Sequence, residues 1–246
     1  MYLKYYSFLF FASILLITGC AAKEVVKEKE VKPVVKVAPP VKRTLSFDMK
    51  EREYIRTNRI MVIDKIRFDY NNDDKLVLVG KISTSTYDQN GFVTNTTIYG
   101  KNESVRDIYS YKFDRKGVRI ETNRADSNKV LTDKFTYEYD RRGNKTKSVK
   151  YDMDNKMENY YLYKYDRDGN LIEDKWYDAS GNLEYKIENK YDAAGKKTES
   201  NSYDEDGSLI SHYTYRYDDR DNIVEEAQFD SKGKPVGIIQ YIYKYY

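Results

Sequence analysis

The chain has 246 residues, of which 34% are charged and 15% aromatic, with 27 tyrosines, one cysteine and one histidine. A net charge of +3, spread over 43 basic and 40 acidic side chains, leaves no electrostatic footprint for nucleic acid. One cysteine excludes an intrachain disulfide, and one histidine excludes a His-rich metal site.

At the N-terminus Lys4 precedes the apolar run Tyr5 to Ile17, and small residues follow at Thr18 and Gly19, which is a signal-peptide layout. The run of 13 residues falls short of the roughly 18 that a lasting transmembrane helix needs. Ile17-Thr18-Gly19-Cys20 resembles the lipobox of bacterial lipoproteins, which is cut just before a cysteine carrying a diacylglyceryl group. The resemblance implies that residues 1–19 are a removed export signal and that Cys20 bears the lipid, palmitate included, through which the protein meets the membrane. Several acyl chains together hold a protein stably where one does so only marginally. Ala21 in place of Asp after the cysteine implies the outer membrane in a cell with two membranes, and otherwise the outer face of the plasma membrane. Without Lys4 the mature chain has 42 basic against 40 acidic side chains.

Residues 20–43 hold the lipidated cysteine and AAKEVVKEKEVKPVVKVAPPVKR, which has three of the four prolines and no aromatic residue or glycine. This reads as a tether, reaching at most about 75–80 Å when fully extended. Residues 44–86 form a lead-in. Within it, Ile60 to Phe68 and Lys75 to Ile82 read as two strands around the turn-like Asn71-Asn72-Asp73-Asp74, while Thr44 to Asn58 is open between short helix and coil.

Residues 87–246 are repetitive. Aligned on Tyr-Asp-x-x-Gly-Asn, the first position falls at Tyr87, Tyr99, Phe113, Ala125, Tyr139, Tyr151, Tyr165, Tyr177, Tyr191, Tyr203, Tyr217, Phe229 and Tyr243, with intervals alternating 12 and 14. The period is therefore 26 residues, one short and one long segment. Asp starts a type I turn by bonding the backbone two residues on, and Gly accepts the positive φ that closes it. Such three-residue loops make β-hairpins. The expected fold is all-β, a repetitive antiparallel β-hairpin meander forming a twisted, curled sheet or partial shell with tyrosines on its concave side. With three-residue loops Tyr165 stands opposite Leu171, and the odd-numbered positions stay on one face from hairpin to hairpin. That face then holds Tyr161/Tyr163/Tyr165 and its equivalents, the column Val105, Leu131, Met157, Leu183, Leu209 and Pro235, and Tyr177. A four-residue loop would instead turn the short-strand tyrosines to the other face.

Tyr137-Glu-Tyr-Asp-Arg-Arg-Gly-Asn144, Tyr163-Lys-Tyr-Asp-Arg-Asp-Gly-Asn170 and Tyr215-Arg-Tyr-Asp-Asp-Arg-Asp-Asn222 resemble the YD repeats of RHS-type proteins. In that family the repeats are β-hairpins that spiral into a shell, sometimes around a toxin domain. This chain is short and repeats up to Tyr246, so the resemblance implies a shell without room for cargo. Ala125, Asp221 in place of the turn Gly, and the glycine-free turn at 151–156 depart from the pattern.

The Asp-x-Asp-Gly turns at 166–169 and 204–207 could suggest calcium, but a later bidentate acid is missing from the pattern, and the structural turn is the expectation. No nucleophile signature accompanies the abundant carboxylates. The chain reads as a non-enzyme without cofactor, an envelope module for structure or protein interaction. Tyr137, Tyr163, Tyr215 and Tyr241 carry the alternative, carbohydrate or peptidoglycan binding by ring stacking, set against their being core. The expected partners are the membrane, through Cys20, and an envelope protein or glycan. A transmembrane barrel is a third reading, opposed by the charges on the other face.

Overall fold

The computed structural model describes residues 46–246, so the export signal, Cys20 and the tether lie outside the described residues. Thr44 to Asn58, left open by the sequence, contains a helix, α1 (Phe47–Thr57), with Ser46 as its N-cap accepting from the Met49 N–H. Fourteen strands follow. They are β1 (Ile60–Tyr70), β2 (Leu76–Tyr87), β3 (Val93–Tyr99), β4 (Val105–Phe113), β5 (Arg119–Asp126), β6 (Leu131–Tyr139) and β7 (Lys145–Asp152). The series continues with β8 (Met157–Tyr165), β9 (Leu171–Asp178), β10 (Leu183–Tyr191), β11 (Lys197–Asp204), β12 (Leu209–Tyr217), β13 (Ile223–Asp230) and β14 (Pro235–Tyr245).

Every strand pairs antiparallel with its sequence neighbours, as a hairpin meander requires. The expected partial shell is, however, closed. β1 pairs with β14, with Ile63 opposite Tyr243 and Lys65 opposite Tyr241, so the sheet is a 14-stranded barrel. The two lead-in strands supply the closing seam and are part of the same wall as the repeats. Closure leaves the long twisted sheet no edge along that seam.

The turns follow the expected chemistry. An Asp166 carboxylate oxygen accepts from the N–H groups of Asp168 and Asn170 at 2.9 and 2.8 Å, and Gly169 closes the loop at φ +77°. Where glycine is missing, Lys129, Asn155 and Asp221 occupy the same left-handed conformation at φ 63–64°.

Tyr165 does pair with Leu171, but the expected continuation of parity fails one step later. The next pair is Lys164 with Glu173, leaving Ile172 as an extra residue, a β-bulge. The same shift follows the turn in each hairpin from β2–β3 to β13–β14. Each bulge exchanges the two faces of the departing strand. Tyr163 therefore shares its face with Asp174 and Tyr161 with Trp176, whereas Tyr177 is opposite Tyr160 on the other face. Tyr165 and Tyr177 lie on opposite faces, and the column from Val105 to Pro235 pairs with Tyr99, Ala125, Tyr151, Tyr177, Tyr203 and Phe229 on the outside.

The outer wall is polar in a repeating way. Lys112–Glu121, Glu138–Lys147, Lys190–Glu199 and Arg216–Glu225 form cross-strand ion pairs at 2.5–3.8 Å, each one or more 26-residue periods from the last. Between them, Lys164 faces Glu173 in the same register. Few apolar side chains are buried: among the described residues these are Ile55 and Ile60, with Ala125 and Val149 on the outer face of the sheet.

Helix α1 lies across one end of the barrel. Lys50 donates to the Asp168 carbonyl (2.5 Å) and Asn170, Arg52 to the Gly117 carbonyl (3.1 Å), and Tyr54 to Asn222. These acceptors sit in alternate turns, all at the same end. The turn asparagines there are enclosed, Asn144 and Asn222 at 4% and 0% exposure, while Asn182 at the opposite end is exposed.

Candidate binding chamber

The tyrosines at odd-numbered positions of the long strands point into the lumen and are held there. Tyr139, Tyr191, Tyr217 and Tyr243 donate at 2.6–2.9 Å to the carbonyls of Arg119, Leu171, Lys197 and Ile223, each the first residue of a short strand. Beside the bulge, that carbonyl is out of step with the ladder, and the hydroxyl satisfies it. The tyrosine before the turn aspartate is thus a strand-to-strand strut.

The four sequence-nominated rings form a second tier. Tyr137 donates to Thr122 (2.7 Å), Tyr163 exchanges a hydrogen bond with Ser148 (2.7 Å), Tyr215 with Ser200 (3.0 Å), and Tyr241 donates to Glu226 (2.8 Å). Their ring faces carry cations. Lys145 Nζ lies 4.6 Å from the Tyr163 ring centre and 5.4 Å from that of Tyr137, Lys197 4.2 Å from Tyr215, and Lys65 4.6 Å from Tyr241. Arg119 continues the pattern, 4.9 Å from Tyr111. Each contact adds about 0.5–2 kcal/mol when desolvated.

Sequence reasoning nominated the tyrosines and missed these bases, although their spacing was visible. Residues 119, 145, 171, 197 and 223 occupy one position of the repeat, and three of the five are Arg or Lys. Lys65, in the lead-in, carries no such signal.

Burial holds the amines of Lys65, Lys145 and Lys197 below the usual lysine range, against the opposing pull of Glu226 on the first and third and Asp48 on the second. Acids share the space. Burial pushes Asp174 up to about 6 despite Lys197 and Lys145, and pushes Glu51 of α1 up against the pull of Arg119. Glu51 keeps an accessible surface. A cavity of about 250 Å³ lies under α1, lined by Glu51, Arg119, Tyr87, Tyr111, Phe92 and Phe113 among others. Trp176, the one tryptophan, also faces the lumen, stacked 6.3 Å from Tyr161, and its indole N–H has no partner. His212 sits on the outer wall against Phe229, ring centres 4.9 Å apart. The first carboxylate of each Asp-x-Asp-Gly turn is engaged by its own turn, Asp166 by the Asp168 and Asn170 N–H groups and Asp204 by the Ser208 N–H.

The arrangement is a chamber closed at one end, whose wall offers amines and a guanidinium backed by aromatic rings, with partly neutralised carboxylates among them. Such a wall can hold a polar ligand with acidic groups. The rings themselves are less open to sugars than the sequence suggests, because a lysine already lies over a face of each.

No family model matches the chain, and no curated protein matches it. Solved structures similar to it include a porin-like protein from Bacteroides uniformis, with 12% identity over 76% of this chain and 97% of that one, TM-score 0.44. A porin-like protein from Bacteroides vulgatus gives 13% identity over 75% and 99% of the two chains, TM-score 0.42. A LolA superfamily protein from Nitrosomonas europaea gives 8% over 79% and 90%, TM-score 0.33. At such identities and scores these likenesses bear on neither activity nor ligand.

Proposed function

We propose that the protein is a lipid-anchored module of the bacterial cell envelope whose barrel stands in water and holds a small polar, acidic ligand in its lumen. The observation that carries this reading is the set of Lys65, Arg119, Lys145 and Lys197, each stacked on an inward-facing aromatic ring. The ring of ion pairs on the outer wall supports a barrel in water, because charged side chains on a lipid face would cost about 2–4 kcal/mol each near the bilayer centre. The lipobox-like Ile17-Thr18-Gly19-Cys20 supports the anchor and the envelope location, the outer membrane where two membranes exist. Kinship with YD-repeat proteins rests on the turn motif and period alone. The role is binding, not catalysis, and needs no cofactor.

Glycans enter this reading through their acidic groups, with amines and guanidinium as the recognising elements and Tyr137, Tyr163, Tyr215 and Tyr241 as the wall behind them. Trp176 is a built-in reporter. Muropeptides, which carry carboxylates, should change its emission saturably, while neutral chitin oligosaccharides should not. Lys145→Ala and Lys197→Ala should weaken the response. A folded protein whose Trp176 ignores both ligand sets, with equilibrium dialysis also finding no uptake, would remove the chamber reading and leave a scaffold.

A further inference from the structure

The cavity under α1 carries opposite charges that do not meet. Asp48 and Glu51, three residues apart and so neighbours on one face of the helix, line it from α1, and Arg119 lines it from the barrel wall. Among the described residues neither acid makes a hydrogen bond or an ion pair. Arg119 makes no ion pair either, and its buried Nε–H has no hydrogen-bond partner. Burial holds the Glu51 carboxyl above its usual range; Arg119 opposes this and the like charge of Asp48 adds to it. A cation beside the two acids would relieve that repulsion and keep Glu51 ionised.

The rest of the lining is largely aromatic. Phe92 and Phe113 meet edge to face with ring centres 4.8 Å apart, and Tyr87 and Tyr111 stand beside them. Arg52 lies 4.6 Å over Phe92 and Arg119 4.9 Å over Tyr111, so those two rings already carry guanidinium groups. Tyr87 carries no cation among the described residues, and it stands close enough to Glu51 to feel that charge. Its ring is the one open to an ammonium group. The volume, about 250 Å³, is just below the roughly 300–1,000 Å³ of pockets for drug-sized ligands. It admits one residue-sized group and excludes a chain of sugars.

We propose that this cavity binds the zwitterionic head of a single amino acid, with its ammonium group against Glu51, Asp48 and the Tyr87 ring and its carboxylate against Arg119. The inference rests on the lumen being a ligand chamber, and it names the part of the ligand that lies under the helix. A purely anionic group would match Arg119 but meet the acids of α1. A purely cationic one would match those acids but face Arg119, Arg52 and Lys116. A group that carries both charges on one carbon answers both sides.

The test is calorimetric titration of the chain from residue 20 onward with Cys20→Ser, using glycine, alanine, leucine, phenylalanine and glutamate, the chiral ones in D and L forms. At least one should bind saturably, and its N-acetyl and amide derivatives, each lacking one charge, should bind about tenfold more weakly or worse. Glu51→Gln, at an exposed position, should leave the melting temperature unchanged, weaken the free amino acid by about tenfold or more, and leave the N-acetyl derivative unaffected. Asp48→Asn should act in the same direction. Derivatives that bind as tightly as the parent, or binding indifferent to both variants, would overturn the inference. So would tighter binding of phosphoethanolamine, a zwitterion without a carboxylate. Muropeptide uptake reported by Trp176, with none of these amino acids bound, would overturn this inference alone and leave the chamber reading standing. Failure of both ligand sets would remove both.

Discussion

Asp174 is pushed up to about 6 by burial, even though Lys197 and Lys145 both act on it in the opposite sense. Its folded value is above the unfolded one, so the neutral acid is the form the fold prefers. The stability it contributes is present below about pH 4 and is lost as pH rises through about 6. Asp174→Asn should therefore raise the melting temperature at pH 7.5 and flatten its dependence between pH 4 and 6, as followed by circular dichroism. A second residue-level expectation concerns Lys129, which is exposed and held at φ 64° where later repeats carry Gly181, Gly207 and Gly233. A left-handed conformation costs a side-chain-bearing residue about 1 kcal/mol relative to glycine. Lys129→Gly should stabilise the protein by up to about that amount in urea titration, offset partly by the greater freedom of glycine in the unfolded chain.

At the scale of elements, the docking of α1 can be separated from turn strain by two glycines. Gly91 and Gly207 have nearly the same φ, +82° and +81°, but a Cβ on Gly91 would lie 2.3 Å from the Arg52 carbonyl oxygen, whereas one on Gly207 would meet nothing within 4 Å. Both Gly→Ala changes strain the turn equally. Gly91→Ala should cost about 1–3 kcal/mol more, and the excess measures how firmly the helix closes that end. If the two variants unfold alike in urea, α1 is not held by this contact. The seating of α1 also explains why the last motif residue matters only at one end. Asn170 and Asn222 receive the helix, and each also donates to its own turn aspartate, while Asn182 has only the turn.

At the scale of the molecule, closure should make unfolding cooperative. An open repeat array loses units one by one because each touches only its neighbours, but a barrel joined from β1 to β14 has no terminal unit. Circular dichroism and Trp176 emission should report one coincident transition in urea. Removing residues 235–246 strips β1 and β13 of a partner each, and should separate the two transitions. Coincidence in both proteins would mean that the seam contributes little.

The local features were legible because short-range chemistry sets them. Aspartate turns, residues tolerating positive φ and the 12/14 spacing specify where each hairpin reverses, and strand ends such as Tyr165 and Leu171 followed directly. The bulge one step beyond each turn was not legible. No residue type marks it, since Ile172, Glu184 and Thr146 all occupy the extra position, and it arises from fitting a twisted strand to its neighbour within a closed wall. That one-residue shift moved Tyr177 outside and Asp174 inside, so the chamber's acids could not be read from parity. Closure and the helix cap join residues at opposite ends of the sequence, Lys65 with Tyr241 and Tyr54 with Asn222. Contacts of that separation leave no periodic trace along the chain, and only the folded barrel brings them together.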